Sequence, residues 1–228
     1  MKSASLLRFP VTPSGAALRS LPTGVAAKLD QPFLTPSPPF LTPSPPFLAQ
    51  AELAGRLVEV TGQGASARIS WLAGLVAAAQ REGETVAWLQ LCVGSLYPPD
   101  LVRLGIDLTK LSVALLPDAT ALLRGADILL RTGGFGLCIV DWEEAPARPT
   151  DAQLGRLLGL AQKHAAAVVF LTRTDATPLG SLISLRIAVR REPRPGDGFA
   201  VVAEVVKDKR RGDGRLQELA WQGPEGIS

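Results

Sequence analysis

LVEVTGQGASARI, residues 57–69, passes from a short apolar strand through a glycine turn into a helix. A phosphate-binding loop occupies this kind of junction, because the first N–H groups of a helix have no partner within it and face an anion. Against the working pattern GxxxxGK[ST], three of the four informative positions are lost. Gly62 matches the first, and Gly64 lies inside the turn. Ala67 stands where a second glycine lets the backbone close around phosphate. Arg68 replaces the lysine with a bulkier, planar cation. Ile69 replaces the hydroxyl that ligates magnesium, which a hydrocarbon cannot do. Ser70 is one place late and turned by about 100° on a helix.

Downstream, strand and helix patterns alternate. The helix after the turn sets Leu72, Leu75, Val76 and Ala79 on one apolar face. TVAWLQL (85–91) is a second strand, Pro98-Pro99-Asp100 opens a short helix, and LSVALL (111–116) is a third strand. A helix follows from about Asp118 to Arg131, then GLCIVDW (136–142) as the fourth strand. Thr150 to Gln153 is a capping-box start for a helix with Leu154, Leu157, Leu158 and Ala161 on one face. AAVVFLT (166–172) is the fifth strand. Continuously apolar strands between helices predict an α/β fold with a mostly parallel sheet covered on both sides. SLRIAVRR, FAVVAEVV and LQELAW alternate apolar and polar residues, joined by PRPGDG and KRRGDG. They predict antiparallel strands that extend the sheet at its C-terminal end.

Upstream, residues 32–48 repeat PFLTPSP. Proline at that density forbids helix, so residues 1–50 are expected to be largely extended or disordered, with a core domain over 51–228. The 228 residues are 46% hydrophobic and 20% charged, ordinary for a soluble globular protein. No apolar run is long enough to span a membrane, and the apolar core before Arg8 is only two residues long, too short for a signal peptide. A cytoplasmic location is expected. Cys92 and Cys138 lie in apolar runs and read as small buried side chains. His164 closes a helix, where a cation is mildly stabilising.

Two other sets of residues have the chemistry for a site. Asp141, at the end of the fourth strand, is placed like a metal-binding carboxylate or a plain strand-end cap, and the degraded turn favours the cap. Glu143 and Glu144 follow in a polar exit loop and read as solvated charge. From Arg186 to Arg215 nine cations face five carboxylates. Lys207, Lys209, Arg210 and Arg211 in that tract are candidates for partner or phosphate contacts.

From Leu57 onward the sequence resembles the RecA recombinase core, through GRLVEVTG, VAAAQREGETVAW, LVRLGIDLTKL, LCIVDW and VVKDKRRGDGRLQELAWQGPEGI. LPTGVAAKLD (21–30) resembles the segment ahead of the RecA loop. The resemblance implies a RecA-like P-loop core and roughly four-fifths of the chain carries it. The departures matter as much. LQLCVGSL (89–96) has no carboxylate where RecA carries the glutamate that activates water. Thr172-Arg173 replaces the Asn-Gln pair that senses the γ-phosphate. WEEAPARP (142–149) and RTDATPLG (173–180) are short where RecA has DNA-binding loops, and Ser228 falls where RecA would continue. Lys207 and Lys209 match two lysines that in RecA reach a neighbour's nucleotide across a filament interface.

A degraded P-loop on a shortened core resembles the ImuA family, accessory proteins of damage-induced mutagenesis. That resemblance implies a non-catalytic role in translesion synthesis, without a cofactor. It implies as partners an ImuB-like homologue of Y-family polymerases and an error-prone C-family polymerase. The filament lysines add RecA itself as a partner, and the basic strands add weak, non-specific DNA binding at most. Two alternatives stay open: a nucleotide-binding RecA paralogue with residual ATPase, resting on Gly62, Arg68 and Asp141, and a SulA-like division inhibitor.

Overall fold

The structure is a computed structural model that describes residues 48, 50–62, 65–92, 96, 101–102, 105–143, 145, 147–173, 179–194 and 198–222. Gly64, Glu144, Pro98 to Asp100 and the Pro-rich repeat up to Phe47 lie outside the described residues. Strands are β1 (Arg56–Gly62), β2 (Val86–Leu91), β3 (Leu111–Leu116), β4 (Leu137–Asp141), β5 (Ala167–Arg173), β6 (Leu185–Pro193), β7 (Gly198–Asp208) and β8 (Leu216–Gln222). Helices are α1 (Gln50–Leu53), α2 (Ala65–Arg81), α3 (Ala119–Thr132) and α4 (Asp151–Lys163).

One sheet runs in the order β3-β2-β4-β5-β1-β6-β7-β8. β3 to β6 in that order are parallel, and β7 and β8 are antiparallel. The protein is therefore α/β with a mostly parallel sheet extended by antiparallel strands. β6 departs from the sequence reading in one respect. It pairs parallel with β1, so the antiparallel part begins only at β7.

Alternation along β1 divides the interior into two cores. Val58 and Val60 pack with Trp71, Leu72, Leu75 and Trp88 on the face covered by α2. Leu57 packs with Phe170, Val140, Leu122 and Leu157 on the face covered by α3 and α4. Trp71 to Gln80 of α2 are all buried, more than the single apolar stripe the spacing predicts. Leu48, Leu53, Leu96, Leu101 and Ile106 share its core, so the helix is enclosed on more than one side.

The helix ends are fixed locally. The Asp118 side chain accepts from Ala121 N at 2.8 Å, and Gly133 closes α3 at φ 66°, with the His164 ring filling the space a side chain would need. Thr150 and Gln153 form the expected capping box. Cys138 is buried, which pushes its thiol up to about 12. Cys92 is exposed, contrary to the sequence reading, because it follows the last residue of β2 and leaves the covered part of the sheet.

Asp127 on α3 accepts from Arg156 of α4 at 2.5 Å and from Arg131 at 2.9 Å. The hydrogen bond from Arg156 lowers its carboxyl to about 2, against the opposing effect of burial. A depressed carboxylate stabilises the fold above its unfolded value, about 4, and that contribution disappears as pH falls toward 2. Asp127→Asn is expected to flatten the acid limb of stability in this window. Urea unfolding from pH 2 to 6 checks it; an unchanged limb contradicts it.

Candidate functional site

The carboxyl ends of β1, β5 and β4 lie side by side, with Gly62 paired to Arg173 and Asp141 to Leu171. In open α/β sheets ligands bind in the crevice beyond such strand ends. Gly62 is buried and tightly hemmed, because a Cβ there would lie 2.0 Å from Val189 O on β6. Ala67 belongs to the first turn of α2.

Arg68 turns inward. Its Nη1 donates to Gly62 O and, at 3.1 Å, to Thr172 O, and its Nη2 is 2.6 Å from Glu143 Oε1. The two side chains are only 3% and 10% exposed. This corrects the reading of Glu143 as a solvated charge: the loop after β4 folds back and delivers the carboxylate to a buried guanidinium. Trp142 anchors that loop. Its N–H donates to Leu171 O at 2.9 Å, its Nε1 to Ala147 O at 3.1 Å, and its ring meets Phe170 edge to face at 6.2 Å. Asp141 is 6% exposed and accepts from Glu143 N at 3.2 Å, which is the work of a strand-end cap. Ile69 packs against the α2-side core. Arg173 is exposed at the end of β5.

Thr172 extends the network, since its hydroxyl donates to Glu59 Oε1 at 3.2 Å. Glu59, 2% exposed in the middle of β1, also accepts from Arg186 Nη2 at 2.6 Å and Nε at 3.0 Å. A line of polar side chains thus crosses three strands, from Glu143 through Arg68, Thr172 and Glu59 to Arg186. The sequence did carry a signal for it: a charge inside a strand buried on both faces requires a partner.

The basic tract is largely neutralised from within. Arg186 pairs with Glu59, Arg190 with Glu192 and Glu204, Arg194 with Glu218, Arg211 with Glu52, and Arg215 with Asp208 and Glu52. Arg191 lies over the Phe199 ring at 3.8 Å. Lys207 Nζ approaches Gly180 O at 3.5 Å and Lys209 Nζ donates to Ser181 O at 2.5 Å, so both lysines lean onto the segment before β6. Burial, then the neighbouring Lys209 and Arg186 charges, lower the Lys207 ammonium from its ordinary value. Arg210 is exposed, and its N–H donates to Asp208 Oδ1 at 2.9 Å. Of the four candidate contact residues, Arg211 is held by a carboxylate, and Lys207, Lys209 and Arg210 are the three of that set that no carboxylate of the described residues pairs.

Among the described residues no group of three His, Cys, Asp or Glu is placed to hold a metal ion, and no helix is long and apolar enough to cross a membrane. No protein-family model matches the chain, and no curated protein matches it in sequence.

Proposed function

We propose that this chain is a RecA-like P-loop core that has given up nucleotide chemistry and serves as a non-catalytic accessory protein in damage-induced translesion synthesis, in the manner of the ImuA family. One observation carries the non-catalytic half. The cation at the lysine position is buried against Gly62 O, Thr172 O and Glu143, so its charge is already engaged within the fold. The neighbouring Ile69 packs into the core instead of offering a metal ligand. Phosphoryl transfer depends on positioned charge and metal, and these positions supply neither an uncommitted cation nor a metal-ligating side chain. The process itself rests on the sequence resemblance.

Magnesium-dependent ATP hydrolysis is expected to stay at background. Turnover that vanishes in Asp141→Ala would refute this. For the process, co-purification from DNA-damaged cells is expected to bring an ImuB-like homologue and a C-family polymerase. Recovery of a division protein instead supports the SulA-like alternative.

DNA binding is expected to be weak, non-specific and salt-sensitive, through Lys207, Lys209 and Arg210. Neutralising all three should make the slope of log affinity against log salt shallower by about 2 on single strands, since each phosphate contact contributes about 0.7. Tight binding that survives high salt, or a slope unmoved by the triple change, rules this surface out.

A further inference from the structure

Arg68 leaves the first turn of α2, where unpaired N–H groups already make a positive end. A second positive charge there is unfavourable unless an anion sits beside it. That turn contains no acidic residue, and the carboxylate comes instead from Glu143, on the loop after β4. Arg68 is 2% exposed, and its Nε is buried with no hydrogen-bond partner among the described residues. The guanidinium is thus a buried cation whose donors exceed the acceptors that reach it.

We propose that Glu143 is a built-in anionic ligand of Arg68, and that removing its charge opens a binding site for phosphoryl anions of the pyrophosphate class. The planar fork of arginine matches a carboxylate and a phosphate alike. A carboxylate tethered two residues beyond the end of β4 arrives without the entropic cost of association, so free phosphate competes at a disadvantage. Self-occupancy, not loss of affinity for anions, then keeps phosphates out of the crevice. The anion chemistry of Arg68 is independent of any role in translesion synthesis.

The test compares the full chain with Glu143→Gln and with the double variant Arg68→Gln/Glu143→Gln. Each is titrated with pyrophosphate by calorimetry and thermal shift, without magnesium and at matched ionic strength. The unaltered protein is expected to show no saturable binding. Glu143→Gln should bind at least about tenfold more tightly, and the double variant should lose that gain. The proposal is overturned if Glu143→Gln binds no better than the unaltered chain, or if the double variant binds as well as Glu143→Gln. Should Glu143→Gln fail to fold unaided, its refolding yield decides. A yield raised by pyrophosphate but not by chloride of equal ionic strength supports the site, and equal yields overturn it.

Discussion

Gly62→Ala is expected to destabilise the protein by about 3 kcal/mol or more, the upper end for overpacking a close-fitting position. The added Cβ would lie 2.0 Å from Val189 O, 3.0 Å from the Val189 carbonyl carbon and 3.2 Å from Arg68 Cγ. The first two are backbone atoms of β6, so relief requires parting β1 from β6, not rotating a side chain. Gly159 on α4 is the control, because a Cβ there meets nothing within 4 Å. Gly159→Ala should be neutral or gain up to about 1 kcal/mol from helix propensity. Urea unfolding of both variants checks the contrast, and equal effects would contradict it. Gly62, the residue most suggestive of a phosphate loop, is thus required by strand packing whether or not phosphate binds.

Asp208→Asn should cost about 3–5 kcal/mol, as removing one member of a buried ion pair does. Asp208 Oδ1 is 2.6 Å from Arg56 Nη2, with side chains 0% and 2% exposed, and its Oδ2 is 2.6 Å from Arg215 Nη2. Arg215 and Arg211 also reach Glu52 on α1. The β7–β8 turn is in this way tied to the start of the sheet, and an asparagine leaves two guanidinium groups short of charge. Arg56→Met together with Asp208→Leu is expected to recover much of the loss, because replacing a buried pair by apolar groups is often neutral. Burial works to raise the Asp208 carboxyl, but the Arg210 N–H and the Arg56 guanidinium outweigh it and hold the group below the usual carboxylate range. Its contribution is therefore complete above about pH 4 and lost as pH falls through the lower folded value. Stability measured at pH 7 and pH 3 should differ less in Asp208→Asn than in the unaltered chain; an equal difference contradicts the assignment.

The layered fold was legible because it depends on local signals. Continuous apolar runs marked β2, β4 and β5, the helix read from about Asp118 and the capping box at Thr150 matched the starts of α3 and α4 to within a residue, and turn residues separated β6, β7 and β8. The direction of β6 was not legible, since alternation gives a strand's faces but not which neighbour it joins. The site was half legible. Gly62, Arg68 and Asp141 stood out by spacing along one stretch or at one strand end. Glu143, Glu59 and Thr172 act through contacts with residues distant in the chain, and no spacing rule joins them. Cys92 and α2 were misjudged for related reasons: exposure depends on where the sheet ends and on what else covers a helix.

β1 lies early in the chain, yet both strands that pair with it come late. Glu59 meets Thr172 113 residues further on and Arg186 127 residues further on. At synthesis rates of about 5–20 residues per second, the strand waits roughly 6–25 s on the ribosome for both neighbours. Pairings this distant also slow folding, because the loop between them must close before either contact stabilises anything. An unpaired apolar strand held that long is an aggregation hazard. Arg56 and Glu59 break its apolar run with opposite charges while it waits, so the two residues that form buried ion pairs in the folded sheet act as gatekeepers in the nascent chain.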